Sequence, residues 1–501
     1  MQHRNILQSI WLIALFIVII LTGCSERHIE FYVGSQRNVS PKDRSAEYMF
    51  ADIHAALEQG LRIRQENKKA FITIHVQPGD YHLSSPLVIP STLSNLRIKG
   101  AGASFVTLKG SLPLKPVWAQ YDERICVAAV TDSVAFEQLV VNGELQTLAR
   151  YPNYDAKGQH WDGYAPDAIA KERIASWKHP VGAVVHAMHN SGWGDFHYVV
   201  TGVDQNGEAT LSGGHQNNRQ SGLHKNYRMV ENVFEELDSP GEWFLDTDKH
   251  LLYYWPKPGI NVDEAFFEGV SLKNLITIQG TADEPVRNVT IEGIRFEHTT
   301  RTFMESYEPL LRSDWCIYRG GAIYIEGTEN CSVESCELTD LGGNAVFVSG
   351  YNRNINLSGN HIHEIGASGI CFVGDPSAVR SPLFEYHQFV PHSEMDTISG
   401  PANDLYPSGC VAVNNLIHRT GRIEKQSAGV EISMAMNIRI FNNSIYEVPR
   451  AGINVGDGCW GGHVIEGNDV FNTVLETSDH GAFNSWGRDR FWHPDRPVMD
   501  S

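Results

Sequence analysis

The chain has 501 residues, a formal net charge of −19, 42% hydrophobic residues and 10% aromatics. That apolar content excludes a disordered chain, and the acidic balance leaves no basic face to displace counterions from phosphate, so nucleic acid is not an expected partner. At this length a single compact core is excluded too, unless the fold grows along one axis as a solenoid does.

His3 and Arg4 precede an apolar run from Ile10 to Leu21, followed by Leu21-Thr22-Gly23-Cys24. The run is too short for a spanning helix and has the proportions of a signal peptide. Its last four residues resemble the bacterial lipobox, whose Cys becomes the lipidated first residue of the mature protein. Residues 1–24 are therefore read as a lipoprotein signal peptide with Cys24 lipidated, tying the chain to a membrane only through its lipid. Ser25 after the Cys points towards the outer membrane, so the expected location is an exported lipoprotein of the cell surface, outer membrane or periplasm.

Phe31-Tyr32-Val33 reads as a short strand, and Tyr48, Phe50, Ile53, Ala56 and Leu57 fall near helical spacing between Ala46 and Arg64. Phe71 to Val76, Pro78 to Tyr81 and Leu96 to Gly100 follow as first coils, with the helix capping their open end. Residues 28–113 form this unit. From 114 to 265 the pattern changes to hairpin signals, Asp204-Gln205-Asn206-Gly207 and Asp246-Thr247-Asp248-Lys249, between β-rich runs. That stretch is read as an inserted, mainly antiparallel β domain.

Coils resume with Ile276-Thr277-Ile278 and fill 266–501. Five phrases recur: Gly321-Ala322-Ile323-Tyr324-Ile325, Asn344 to Val348, Gly369 to Val373, Gly429 to Ser433 and Gly452 to Gly456. A period of about 23 to 24 residues built from short strands and Gly/Asn turns marks a stacked solenoid. The fold class is all-β, a right-handed parallel β-helix with an N-terminal capping helix and an inserted antiparallel β domain. A long loop from Asp375 to Pro407 interrupts it, as functional loops do. No closing cap is recognisable before Ser501, so the natural protein is expected to continue beyond it.

After Cys24, the cysteines Cys126, Cys316, Cys331, Cys336, Cys371, Cys410 and Cys459 match no disulfide framework or zinc spacing and read as core filler. Asn415, Asn443 and Asn468 read as a structural ladder serving turn backbone groups. His361, His363 and His418 recur at turn positions without metal-ligand spacing, so no metal is assigned, and no cofactor is expected; calcium has no supporting motif.

Chemistry-bearing residues gather in the late coils: Asp457 and Trp460, then Asp479, His480, Asn484, Trp486, Arg488, Asp489 and Trp492. Aromatic faces stack on sugars, amides and Arg bind hydroxyls, and carboxylates do acid–base work. Asp457, Asp479 and Glu431 are the catalytic candidates. Asp457 and Asp479 lie about one coil apart, near the roughly 5 to 9.5 Å that paired glycosidase carboxylates need, although opposite ends of adjacent strands are equally open to them. Glu431 points outward between inward Val430 and Ile432, where a merely solvated role fits as well as a catalytic one, and Asn454 and Asn484 share its outward ladder. Asp375 and Asp489 occupy turn positions that line the same mouth.

Phe31 to Gly34, Pro78 to Leu83, Gln146 to Asn153, Pro240 to Asp246, Tyr253 to Pro256 and Asp479 to Asp489 together resemble bacterial β-helix proteins of glycoside hydrolase family 141. The resemblance spans nearly the whole mature chain. It implies a β-helix with an inserted β domain, acting on plant cell-wall or related polysaccharide, and an oligo- or polysaccharide as partner. Two other readings stay open: a polysaccharide lyase or epimerase, with His480 as base and Arg488 as charge neutraliser, and a non-catalytic glycan-binding surface protein.

Overall fold

The computed structural model describes residues 28–34, 48–130, 136–216, 221–309, 315–383, 388, 390–394, 396, 398 and 400–485. Three long sheets, here A, B and C, run the length of the molecule, and nearly every strand in them pairs in parallel with the equivalent strand one coil on. The chain visits C, then A, then B, in each coil; Ile323–Glu329, Ser332–Glu334 and Glu337–Leu341 make one circuit before Val346–Arg353 begins the next. This is the expected parallel β-helix, right-handed as the crossover rule dictates.

Inward positions stack into aliphatic ladders. Ile276, Ile323, Val346, Ile370, Val430 and Ile453 are register partners on sheet C, and Phe296, Leu338, Ile362, Ile417 and Ile445 on sheet B. All are buried in one continuous core, each worth about 1.5–3 kcal/mol of apolar burial.

The corners differ in what they carry. From residue 293 on, each turn between A and B has two residues: a left-handed one (Gly293, Ser335, Gly359, Asn414, Asn442, Gly467), then Ile294, Cys336, Asn360, Asn415, Asn443 or Asn468. Those asparagines hydrogen-bond coil to coil: the Asn360 amide donates to Asn415 Oδ1 (3.1 Å), Asn415 to Asn443 (2.9 Å) and Asn443 to Asn468 (2.9 Å). The structural ladder expected from the sequence is present. Corners B–C and C–A, which flank sheet C, hold the excursions. The inserted domain leaves and rejoins at a B–C corner, as does the segment carrying Trp315, while the 374–410 loop leaves at a C–A corner.

Antiparallel pairing in the insert begins at Ser111–Leu114 and ends at Phe267–Val270, which pair with each other. Both hairpin signals lie between paired antiparallel strands. The capping helix spans Ile53–Glu66 and starts later than the periodicity suggested. Met49–Phe50 instead pairs with Tyr32 and Val33, and Asp52 caps the helix by accepting from the Ala55 N–H at 2.8 Å. Cys331, Cys336, Cys371, Cys410 and Cys459 are buried.

Candidate active site

The outward face of sheet C carries the polar ladder. Register pairs Phe347 with Cys371, Cys371 with Glu431, Glu431 with Asn454, and Asn454 with Asn484. The Asn454 amide donates to both Glu431 oxygens, at 3.0 and 2.8 Å, and the Asn484 amide donates to Asn454 Oδ1 at 2.6 Å. Two residues along, Ser433 pairs with Asp457 across a one-residue irregularity and donates to its Oδ2 at 2.8 Å. Glu431 and Asp457 are therefore diagonal neighbours on one face, about 8 Å apart by strand spacing and rise.

Both carboxyls are 0% exposed. The solvated-face alternative for Glu431 is thus corrected: the side chain points outward from the coil, but it is covered. Burial pushes the Glu431 carboxyl well above the usual carboxylate range, and the nearby Asp457 adds to the rise against the opposing effects of Asn454 and Arg450.

Arg450, fully buried, lies over the Trp315 ring at 4.3 Å and donates to His480 Nε2 at 3.1 Å. Trp315 meets His480 edge to face at 5.8 Å. Arg319 reaches the same sheet, donating to Ser349 Oγ (2.8 Å) and to the carbonyls of Val373 (3.3 Å) and Gly374 (2.9 Å). Sequence reasoning missed Arg450, Trp315 and Arg319. Only Arg450, a cation placed just before a coil phrase, left any signal.

Of the expected residues, Glu431, Asn454, Asn484 and Asp457 come together, with His480 alongside through Arg450. Asp479 does not join Asp457. Register places Asp457 at the far end of Ala451–Asp457, whereas Asp479 precedes Phe483–Ser485, which pairs with Ile453 to Val455. Asp479 is 56% exposed and accepts from the His480 N–H at 2.7 Å. Trp460 lies beyond Asp457 at the C–A corner, 4.7 Å from the Tyr406 ring of the long loop. Asp375 caps a short helical turn by accepting from the Ser377 N–H. Cys24, Trp486, Arg488, Asp489 and Trp492 lie outside the described residues.

A second polar region fills the seam between the insert and the B–C corner. A cavity of about 260 Å³ there is lined by Arg150, Trp161, Asp162, Arg301, Glu364 and Arg422 among others. Its charges satisfy one another: Arg422 binds Asp162 and Glu364, and Arg301 binds Glu137 and Glu231. Nearby, Asp195 accepts from the Lys425 N–H at 2.8 Å, and Lys425 Nζ is 3.0 Å from Glu476. This seam fastens the insert to the coils. On sheet B, His361, His363 and His418 lie on strands, not at the turns where the sequence placed them, and their ring nitrogens converge.

The described helices include none long and apolar enough to cross a membrane. A family model for a right-handed β-helix region matches residues 274–381. No curated protein matches the sequence significantly. Among solved structures, one described as a glycoside hydrolase superposes with a TM-score of 0.68 at 18% identity, covering 92% of this chain and 86% of that one. A complex of XylC with xylose gives 0.41 at 12% identity, covering 91% and 65%. The catalytic domain of a GH87 α-1,3-glucanase bound to tetrasaccharides gives 0.33 at 11%, covering 90% and 47%. At such identities the first likeness is one of fold.

Proposed function

We propose that this protein is an exported, lipid-anchored glycoside hydrolase acting on plant cell-wall or related polysaccharide, with Glu431 and Asp457 as its carboxylate pair. The observation that carries the reading is the buried Glu431 carboxyl, held against the Asn454 amide with its proton affinity raised, one diagonal from a second acid. A carboxyl that holds its proton more tightly than usual suits a general acid, which must donate to a leaving glycosidic oxygen. Asp457 takes the role of the base that activates water. The two acids stand about 8 Å apart at their Cα atoms, and the anomer released, followed by NMR, distinguishes inversion from retention. Asn454 and Asn484 orient the acid, and the Arg450–His480 pair stands beside it.

The test is reducing-sugar release from a panel of plant polysaccharides. Glu431→Gln should lower turnover about 10²–10⁴-fold, whereas Asp479→Asn should leave it near the original rate. Full activity in Glu431→Gln would remove the assignment. A lyase reading keeps one specific support, the Arg450–His480 pair beside the acid, a cation and a base in contact. An unsaturated product absorbing in the ultraviolet would select it. Metabolic labelling with palmitate, lost in Cys24→Ala, tests the anchor.

A further inference from the structure

We infer that His361, His363 and His418 form a binding site for a borderline divalent transition-metal ion, of which Zn²⁺ is the representative, on the outer face of sheet B. Strand alternation puts His361 and His363 on one face, and the parallel register sets His418 directly beside His363 on the next coil. Two histidines at i and i+2 on one strand plus a third on its neighbour make a compact three-imidazole triangle. One nitrogen from each ring lies within 4.8 Å of the others, and His361 Nε2 is 3.0 Å from His418 Nε2. Tetrahedral coordination at about 2.0–2.1 Å sets ligand nitrogens a little over 3 Å apart, so the closest pair is already near that spacing.

The surroundings suit a metal in two further ways. Glu337 Oε1 is 3.1 Å from His363 Nε2, an outer carboxylate that leaves Nδ1, now 3.3 Å from the Thr339 hydroxyl, as that ring's ligand atom. His418 offers two nitrogens, Nε2 facing His361 and a buried Nδ1 without a hydrogen-bond partner. Imidazole donors favour Zn²⁺, Cu²⁺ or Ni²⁺ over Ca²⁺ or Mg²⁺. Three protein ligands leave a fourth position open to solvent.

The rings now stack: His363 on His418 at 5.2 Å and 6°, then His418 on Tyr446 at 4.8 Å and 2°. Binding requires the imidazoles to turn about their Cβ–Cγ bonds until their lone pairs meet at one point.

The experiment uses the untagged chain, stripped with chelator and titrated with Zn²⁺ in a calorimeter. One equivalent should bind at micromolar or tighter, and the combined His361→Ala, His363→Ala and His418→Ala variant should bind at least tenfold more weakly. Co²⁺ should give the intense visible absorption of a four- or five-coordinate site. No saturable single equivalent, or unchanged affinity in the triple variant, would falsify the site and leave a purely stacking role for these rings. Should the variant fail to fold, a weak octahedral Co²⁺ spectrum in the unaltered chain overturns the inference by itself. Neither readout depends on glycan cleavage.

Discussion

A single buried acid shows how local surroundings set pH behaviour. Glu424 lies just before the Ala428–Ser433 strand, accepts from Thr302 Oγ1 at 3.1 Å, and has its carboxyl pushed from 4.5 to about 8 by burial, with Asp195 adding to the rise. Folding therefore favours its protonated form. The stabilisation is fully present below about pH 4.5 and is lost as pH rises through about 8. Thermal midpoints should fall between about pH 5 and 8, and Glu424→Gln should flatten that limb. At Glu231 burial acts in the same upward direction, but the charges of Arg301 and His186 outweigh it and hold the carboxyl well below its usual range. Its contribution is present above that range and lost on acidification. Stability measured across pH should thus decline on both sides, with Arg301→Ala weakening the acid limb.

At the scale of elements, the A–B corner is the stiff one and the other two are permissive. Asn415 sits mid-ladder, donating to Asn443 Oδ1 and to the Leu357 carbonyl while accepting from Asn360. Asn415→Ala strands those buried groups and should cost about 1–3 kcal/mol in urea unfolding. Phe441→Ala, on an outward strand position, gives a fair comparison and should cost less. The coil phrases, the Asn ladder and the hairpins of the insert were legible because each is a local pattern of period two or a two-residue turn. The Glu431–Asn454–Asn484 ladder was legible for the same reason, once the phrases were aligned. What covers that ladder was not. Trp315 and Arg319 reach sheet C from an irregular excursion with no period to count. The three histidines meet only through the pairing of coils 57 residues apart. Spacing along the chain carried neither message. Helix onset was misjudged because Tyr48 and Phe50 pack against Phe31 from extended backbone, a tertiary choice.

The whole molecule is a rod with one large appendage riveted along its B–C side. Arg301 joins Glu137 and Glu231 on the insert from its place on the coils, and Arg422 reaches Asp162 in the same way. These links predict a single cooperative transition by scanning calorimetry. Removing Arg301 strips the buried Glu231 of the guanidinium bound to it and should cost about 3–5 kcal/mol. The expected record for Arg301→Ala is two resolved transitions, insert first; one unshifted peak would show that the seam contributes nothing. The elaborated corners on both sides of sheet C also explain why the acids sit there.

The insert's position in the chain has a consequence for the order of assembly. Apart from the pair split by the 374–410 loop, coils after Gly320 pair with neighbours close in sequence; the Asn354 amide reaches Asn330 across 24 residues. The Asn288 amide reaches Asn95 across 193. That is three doublings of loop length, adding about 1.8 kcal/mol of closure entropy. During synthesis at about 5–20 residues per second, the capped first coil waits roughly 10–40 s for its partner strand. Throughout that interval its open edge can accept a strand from any other chain. The seam between the coils before the insert and those after it is the one the chain's own order holds open longest, and so the place where a half-made molecule is most easily joined by the wrong strand.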